Sequence, residues 1–283
     1  MEKTNRGERM NTYQELLCKS IACKQDYLDY VRSGFEEWAR GSRKNNPPQF
    51  FTGDINSKLA VISLNPHSGE ASPNSEIDYR SYCVSWEKYL SFFSNFCFER
   101  YAPCGCAANV INRLSNFDKE LHCFFGGKRV PRQEDLAKWK IFHVEIFHIE
   151  TTKYTCPPNE RSQRCLSLLR ALEAISLFER SMVVLLNRDG CNLIETMNRN
   201  GIIRATLEKD SKYPIIPNKG KPERNARRID YGITLPNRRF IKLVATPSFP
   251  LKQVGNRFDF MERYYQNAFS DEEKKLLAQG LGL

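Results

Sequence analysis

Four short apolar runs lie along the chain, and each is followed at once by polar residues or proline. They occupy residues 58–64, 141–149, 181–186 and 239–245. Their length and their β-branched and aliphatic content are typical of buried strands. Amphipathic patterns between and around them predict helices over 13–40, 86–98, 107–117, 160–179, 192–199 and 258–279. Strands that alternate with helices predict an α/β fold, here a three-layer α/β/α arrangement with a central, mainly parallel four-stranded sheet.

Breaks in the pattern divide the chain. The segment Asn45-Asn46-Pro47-Pro48 interrupts the first helical region, so residues 1–49 are expected to form a helical segment that packs on a main domain of residues 50–283. Residues 199–228 differ in composition, with nine basic and three acidic side chains and several prolines and glycines. This composition predicts a long loop or a basic insertion rather than a helix.

Composition narrows the class of protein. With 41% hydrophobic and 27% charged residues, the 283-residue chain is expected to be globular, which excludes a disordered or fibrous protein. The formal net charge of +10 favours a polyanionic partner, although a basic solvated surface produces the same excess. No apolar run is long enough to cross a bilayer and the first residues are polar, so the expectation is a soluble, cytoplasmic protein whose ten cysteines are reduced.

The loops after the first and fourth predicted strands carry the motifs Asn65-Pro66 and Thr246-Pro247-Ser248. With these two motifs placed after the first and fourth of its alternating strands, the chain resembles the uracil-DNA glycosylase superfamily over residues 50–270. That family has Asp-Pro or Asn-Pro after its first strand and His-Pro-Ser or Asn-Pro-Ser after its fourth. The resemblance implies an enzyme that flips a base out of DNA and hydrolyses its N-glycosidic bond. Each motif taken alone is also compatible with an ordinary turn after a strand.

The resemblance assigns catalytic roles to three residues. Asn65 takes the position that orients the hydrolytic water, which its amide oxygen can do by accepting a hydrogen bond. His67 stands where the strict uracil enzymes have a tyrosine that excludes the thymine methyl. Thr246 takes the position that contacts the base oxygen which gains charge, although a hydroxyl cannot carry the positive charge of a histidine.

Further residues follow from the same resemblance. Pro66 belongs to the base pocket, an aromatic after the first motif stacks on the flipped base, and a polar residue after the second strand reads the base edge. Ser248 is expected to hold a flanking phosphate, while Phe249 or Leu251 fills the space of the flipped nucleotide. The candidates for stacking are Tyr82 and Trp86, and those for the base edge are Thr151 and Thr152. The candidates for the DNA backbone, Arg227 and Arg228, follow instead from the concentration of basic charge in residues 199–228. Burial in the core is the alternative for the aromatic and apolar members.

Other ionisable residues leave alternatives open. Glu70 or Asp78 could supply the carboxylate that Asn65 lacks. His143 and Glu145 share one face of the second strand, where a lone histidine is more often a satisfied core residue than a catalyst. A cysteine cluster with an adjacent histidine has spacings that fit neither an iron–sulfur nor a zinc site, so no metal and no cofactor are expected. The cluster comprises Cys97, Cys104, Cys106, His122 and Cys123.

The sequence therefore predicts a monofunctional DNA glycosylase. The base is expected to be uracil or a modified pyrimidine, and the differences at His67 and Thr246 favour an enlarged pyrimidine, such as a bulky modified cytosine, instead of uracil. The expected role is DNA repair or defence against foreign DNA. DNA is the expected partner, with no membrane and no obligate protein partner. The alternative is a protein of glycosylase fold that binds nucleic acid without cleaving it.

Overall fold

The computed structural model of the chain describes part of its length. The described residues are 14–15, 51–63, 85–93, 140–146, 161–185, 188–215, 224–246, 264 and 267–280. Of the segment 1–49, residues 14 and 15 are described and are helical. The predicted helix over 107–117 lies outside the described residues.

Strands and helices alternate through the first two thirds of the described chain. The strands are β1 (Thr52–Gly53), β2 (Leu59–Ser63), β3 (Ile141–Glu145), β4 (Met182–Leu185), β5 (Arg204–Ile215), β6 (Arg224–Thr234) and β7 (Phe240–Ala245). The helices are α1 (Trp86–Phe93), α2 (Arg161–Ile175), α3 (Arg188–Arg199) and α4 (Asp271–Gly280). Each of the four apolar runs contains one strand, which confirms the mixed α/β character predicted from the pattern.

Seven strands of the described chain form one sheet in the order β1-β3-β2-β4-β7-β6-β5. The four central strands β3, β2, β4 and β7 are mutually parallel. The sheet is larger than the four strands predicted, because β1 adds antiparallel to β3 at one edge and the β5–β6 hairpin adds antiparallel to β7 at the other. The central sheet is therefore parallel, and both additions are antiparallel.

The two faces of the sheet carry different layers. On one face, Ile62, Val144 and Leu185 pack with apolar residues of α2 and α3 in the main hydrophobic core. On the other face, α4 lies against β2, and Leu277 of this helix is buried. Strands covered on both faces are mostly apolar on both faces, which explains why residues 59–62 of β2 and all of β4 read as continuous apolar runs. Helices therefore lie on both faces of the sheet.

Three helix boundaries differ from the pattern. Helix α3 begins four residues before the predicted start at 192, and α2 ends at Ile175, before the predicted end at 179. Near the carboxyl end, the pattern predicted one helix over 258–279, but α4 begins only at Asp271. There the Ser270 hydroxyl accepts a hydrogen bond from the Glu273 amide, and the Glu273 carboxylate accepts one from the Ser270 amide. This capping box starts a new helix, which the apolar periodicity does not reveal.

The basic segment 199–228 is not the predicted long loop. Its described residues finish α3 and form most of the β5–β6 hairpin, whose pairing runs from Arg204 opposite Thr234 to Ile215 opposite Arg224, with a bulge between Leu207 and Lys209. Strand β5 lies at the sheet edge with charged residues on both faces, so the alternation that marks a half-buried strand is missing from its sequence.

Among the described residues, no helix is both long and apolar enough to cross a lipid bilayer.

Candidate active site at the carboxyl edge of the sheet

The strand order creates a switch point beside β2. From β2 the chain crosses to β3 on one side, and it then places β4 on the other side. In open parallel sheets, ligands bind beyond the carboxyl ends of the strands at the point where the order reverses. Ser63 ends β2, Leu185 ends β4 and Ala245 ends β7, so the segments that follow these three strands leave from one edge of the sheet. We call this side the carboxyl edge.

Three polar side chains form a buried cluster at the carboxyl edge. The Ser63 hydroxyl lies 2.6 Å from Nε2 of His143 and donates a 2.7 Å hydrogen bond to Oε2 of Glu145. Nε2 of His143 also lies 3.3 Å from Oε1 of Glu145. The three residues are 6%, 1% and 5% exposed in the order Ser63, His143, Glu145. The shared face of His143 and Glu145, predicted from the alternation of the strand, is confirmed, and both side chains have polar partners.

Thr246 lies directly beyond β7 with a buried hydroxyl. Its amide donates a 2.9 Å hydrogen bond to the Leu185 carbonyl, which extends the pairing with β4 by one residue. The residue is 3% exposed, and its Oγ1 atom has no hydrogen-bond partner within the part of the chain that the structure describes. A buried hydroxyl that makes no hydrogen bond costs free energy relative to its hydrated state.

The cluster and Thr246 are related by the pleat of the sheet. Alternation places Thr246 on the same face as Val244, and the register from β7 through β4 to β2 places Val244 on the same face as Ser63 and Glu145. Strand β4 alone separates β2 from β7, so Ser63 and Thr246 stand about 10 Å apart across the edge. A polar strip of described residues thus borders the switch point on one face of the sheet.

The β5–β6 hairpin projects past the carboxyl edge. The last residue of β7, Ala245, pairs with Ile229 of β6. The preceding residues of β6, from Arg224 to Arg228, pair with Ser211 to Ile215 of β5 and with no other strand among the described residues. At about 3.4 Å per residue, this arm extends some 15 Å beyond the end of β7. In the sequence, residues 209–228 carry seven basic and two acidic side chains.

Arg227 lies on the surface of this arm. Its guanidinium makes two 2.6 Å hydrogen bonds to the Asp210 carboxylate on the neighbouring strand. The hydrogen bonds from Arg227 lower the pKa of Asp210. The Arg227 side chain is 49% exposed, so one side of it remains accessible to a polyanion.

Arg228 has a different environment from the one predicted. It is 3% exposed, and its guanidinium donates hydrogen bonds to Asp230, to Glu273 and to the Ala268 carbonyl. Burial disfavours its charged form, but the hydrogen bonds to Glu273 and Asp230 prevail, so the pKa of Arg228 is raised. A side chain saturated in this way cannot reach a phosphate without losing these partners, so the DNA contact predicted for Arg228 does not fit its position.

Trp86 is the described member of the predicted aromatic pair. Its ring packs edge-to-face on Phe51 with 5.9 Å between centroids, and Phe51 in turn contacts Phe142. These contacts hold α1 near the β1 edge of the sheet, four strand positions from β7. The structure therefore does not bring Trp86 together with Thr246.

Most of the other predicted site residues lie outside the described residues. They are Asn65, Pro66, His67, Glu70, Asp78, Tyr82, Thr151, Thr152, Ser248, Phe249, Leu251 and the cysteine cluster with His122. The structure brings the ends of their strands to one edge but gives no side-chain geometry for them. Among the described residues, no group of three or more His, Cys, Asp or Glu side chains could hold a metal ion.

The sequence interpretation missed the role of Ser63 and the connection of Glu145 to it. One signal was present, because a histidine and a glutamate interrupt an otherwise apolar strand at positions two residues apart. Their partner on β2 could not be identified, since it depends on which strands are neighbours and in what register.

A surface cavity of about 460 Å³ lies at the opposite edge of the sheet. It is lined by residues 175–181 at the start of β4 and by Arg239, Phe240 and Lys242 of β7 and the turn before it. Because it adjoins the amino ends of the parallel strands, this cavity is not part of the candidate site.

Comparisons with protein-family models, with curated proteins and with solved structures find no match to this chain.

Proposed function

We propose that the protein is a DNA glycosylase of the uracil-DNA glycosylase type, with that family's three-layer α/β/α fold. It would flip a damaged or modified base, either uracil or an enlarged pyrimidine, and hydrolyse its N-glycosidic bond to leave an abasic site. The roles that follow from this reaction are DNA repair or defence against foreign DNA in the cytoplasm.

One observation carries the proposal. The strand that precedes Asn65-Pro66 and the strand that ends before Thr246-Pro247-Ser248 terminate at the same edge, with β4 alone between them. A pocket lined by one motif on each side needs the two motifs to follow strands that lie close together in the sheet. If β7 lay on the far side of β3, the two motifs would be too far apart. The buried hydroxyl of Thr246 offers a hydrogen bond to a ligand at that edge.

The chemistry assigned to these residues is hydrolytic. The bond between C1′ and the base nitrogen breaks with its electron pair leaving on the base, and the oxygen of a water oriented by Asn65 adds to C1′. The water loses one proton as it adds and the departing base takes one up, so the products are the abasic sugar and the neutral base. The Thr246 hydroxyl would donate a hydrogen bond to the base oxygen that gains negative charge. The projecting arm would contribute backbone contacts through its exposed basic residues.

A base-release assay tests the proposal. Duplexes that contain uracil, a deaminated purine or a bulky modified cytosine are incubated with the protein and then treated with alkali, which cleaves the strand at abasic sites. We expect strand cleavage with at least one duplex, and we expect Asn65→Ala to abolish most of it while leaving DNA binding nearly intact.

The same assay separates the alternative function. The basic arm would serve a nucleic-acid-binding protein without catalytic activity equally well. Salt-sensitive DNA binding without abasic sites from any of the duplexes would therefore support binding alone and contradict the enzyme. Cleavage by Asn65→Ala at the wild-type rate would show that the first motif is not part of the site.

A further inference from the structure

The cavity at the amino ends of the parallel strands lies where β4 and β7 are not yet paired. Their pairing begins at Val183 opposite Leu243, and the residues before this pair, from Ser181 on one strand to Ile241 on the other, line the cavity. Residues from both faces of β7 therefore border one space of about 460 Å³. This volume is typical of sites that hold a small molecule. We call it the amino-edge cavity.

Two arginines of the lining cover the carboxyl end of α2. Nη1 of Arg239 donates a hydrogen bond to the Ser176 carbonyl, and Nε of Arg180 donates one of 3.4 Å to the Ile175 carbonyl. Arg180 also donates to the Ser57 carbonyl, and its Nη2 atom is buried. The two guanidinium groups offset the partial negative charge of the helix end. Arg180 thus contributes charge to the wall, whereas Arg239 keeps donors to spare.

The charges around the amino-edge cavity are mainly positive. Among the described residues that line it, three side chains are cationic and one, Glu179, is acidic. The Glu179 carboxylate lies 2.6 Å from Nζ of Lys58, which offsets its charge. Burial lowers the pKa of Arg180 to about 10 and nearby Asp54 opposes this effect, so this guanidinium is charged at neutral pH. The cationic residues are Arg180, Arg239 and Lys242.

Two of these cations have unused hydrogen-bonding capacity. Lys242 is exposed and makes no ion pair within the described chain, although the Glu208 carboxylate lies near Gly232, its partner on β6. The Arg239 guanidinium has five N–H donors and makes one side-chain hydrogen bond to the described residues, to Ser176. Ammonium and guanidinium donors of this kind bind phosphate oxygens.

An exposed aromatic side chain adjoins these donors. Phe240 lines the cavity and is 56% exposed. Its ring packs on Gly232, where a Cβ atom would come within 3.1 Å of it. Aromatic rings of this kind stack on nucleic-acid bases with little dependence on the base. The amino-edge cavity thus combines phosphate donors with a surface for a flat ring.

We propose that the amino-edge cavity binds a nucleotide, with its phosphate monoester at Arg239 and Lys242 and its base against Phe240. Binding here makes and breaks no covalent bond. The cavity lies at the opposite edge of the sheet from the candidate active site, so this inference does not rest on the proposed function. A free nucleotide and the 5′-phosphorylated end of a DNA strand carry the same phosphate monoester.

Isothermal titration calorimetry with the full-length protein tests the proposal. The ligands are the four deoxynucleoside 5′-monophosphates, the matching nucleosides and inorganic phosphate. We expect at least one monophosphate to bind with a Kd below about 1 mM, and its nucleoside and inorganic phosphate to bind at least about tenfold more weakly, because each lacks one of the two contacts.

A hexanucleotide with and without a 5′-phosphate distinguishes the two sources of the ligand. Binding that is tighter than that of the mononucleotide, and that needs both the 5′-phosphate and Lys242, would identify the strand end. Binding that is no tighter would identify the free nucleotide.

Four variants locate the site. Lys242→Met removes the cation and keeps the apolar stem, so the Kd of the monophosphate should rise about tenfold while that of the nucleoside is unchanged. Phe240→Ala should weaken both about tenfold. Lys88→Met, on the exposed side of α1, and Lys212→Ala, on the arm, are the charge controls and should leave both values unchanged. Thermal melts monitored by circular dichroism verify that each variant is folded.

The outcomes that would overturn the proposal are distinct. They include no binding of any monophosphate at millimolar concentration, and a monophosphate that binds no more tightly than its nucleoside or inorganic phosphate. Wild-type affinity in Lys242→Met would show that the nucleotide binds elsewhere. An equal loss in Lys88→Met or Lys212→Ala would reduce the effect to attraction by the positive net charge. Base release is measured separately, so failure of the proposed function would leave these results unchanged.

Discussion

At the residue scale, two buried hydroxyl groups on one face of the sheet differ in their hydrogen bonding. The hydroxyl of Ser63 has hydrogen-bond partners on two side chains, whereas that of Thr246 has none in the described part of the chain. Folding gains nothing from an unsatisfied hydroxyl, because the group loses water without replacing it. The contrast indicates that Thr246 is suited to a ligand and that Ser63 is part of the protein's own network.

Replacing Thr246 with valine should separate stability from function. Thr246→Val keeps the shape and removes the unsatisfied oxygen, so the free energy of unfolding should rise by about 1 kcal/mol, as measured by urea denaturation. Base release, measured as alkali-sensitive cleavage of the DNA strand, should weaken in the same variant.

Ser63→Ala is the matched control, since its hydroxyl is satisfied. It should lower the free energy of unfolding by about 1 kcal/mol or more. A Thr246→Val protein that is less stable than wild type and equally active would show that the hydroxyl has a structural partner.

At the element scale, the arm formed by β5 and β6 contains two neighbouring arginines with different roles. Arg227 lies on the outside of the arm and pairs with Asp210, while Arg228 points into the protein and connects β6 to Glu273 of α4. Adjacent positions on a strand face opposite sides, so one residue determines whether an arginine is a surface charge or part of the interior. The exposed Lys212, opposite Arg227 in the register, belongs to the surface group.

Substitutions on the two sides of the arm should therefore have different effects. Lys212→Ala should weaken DNA binding about equally for all sequences and reduce the slope of log affinity against log salt by about 1. Arg228→Met should leave that slope unchanged but lower the free energy of unfolding by about 3 kcal/mol, because it leaves two carboxylates without their partner. Fluorescence anisotropy over a salt series measures the first effect, and urea denaturation measures the second.

Lys58→Ala provides the control for charge alone. This lysine lies at the amino end of β2, on the opposite edge of the sheet from the arm. If its loss flattened the salt dependence as much as that of Lys212, the arm would not be a specific surface for DNA.

At the scale of the whole molecule, Glu273 connects the arm to the layer that covers one face of the sheet. Its carboxylate accepts two hydrogen bonds from Arg228 and one from the Ser270 amide, so it holds β6 and begins α4 at once. Burial alone would raise the pKa of Glu273, but the hydrogen bonds from Arg228 and Ser270 prevail and lower it. At its other end, α4 accepts a hydrogen bond from the Lys140 amide through the Gly280 carbonyl.

The lowered pKa of Glu273 makes this connection sensitive to acid. A carboxyl whose pKa is lower in the folded protein stabilises the fold above its unfolded pKa, and the stabilisation is lost as the pH falls through the folded pKa. Glu273→Gln should therefore lower the free energy of unfolding by about 2 kcal/mol at pH 7. The difference from wild type should disappear in acid, as measured by urea denaturation from pH 7 to pH 3.

Glu179→Gln is the comparison for this experiment. Its exposed carboxyl also has a lowered pKa because of its hydrogen bond with Lys58, but solvent screens an exposed pair. An equal loss of stability in both variants would mean that the Glu273 connection does not hold the arm.

The local pattern was sufficient for much of the fold and for little of the site. Strands such as Leu59–Ser63 and Met182–Leu185 were predictable because burial on both faces requires an unbroken apolar run. Strand β5 was not, because an edge strand exposed on both faces carries charges that read as a loop. The start of α4 was missed because the Ser270–Glu273 cap determines it, and the apolar spacing continues across the cap.

By itself, the sequence determined the alternation of buried strands with helices, the presence of polar motifs after the first and fourth runs, and the concentration of basic charge in residues 199–228. These properties depend on residues that are close along the chain. Only the tertiary structure decided that β4 alone separates β2 from β7, that the arm projects past the carboxyl edge, and that Ser63 meets Glu145. Each of these depends on which strands pair and in what register, and a shift of one residue would have turned Arg228 outward and Arg227 inward.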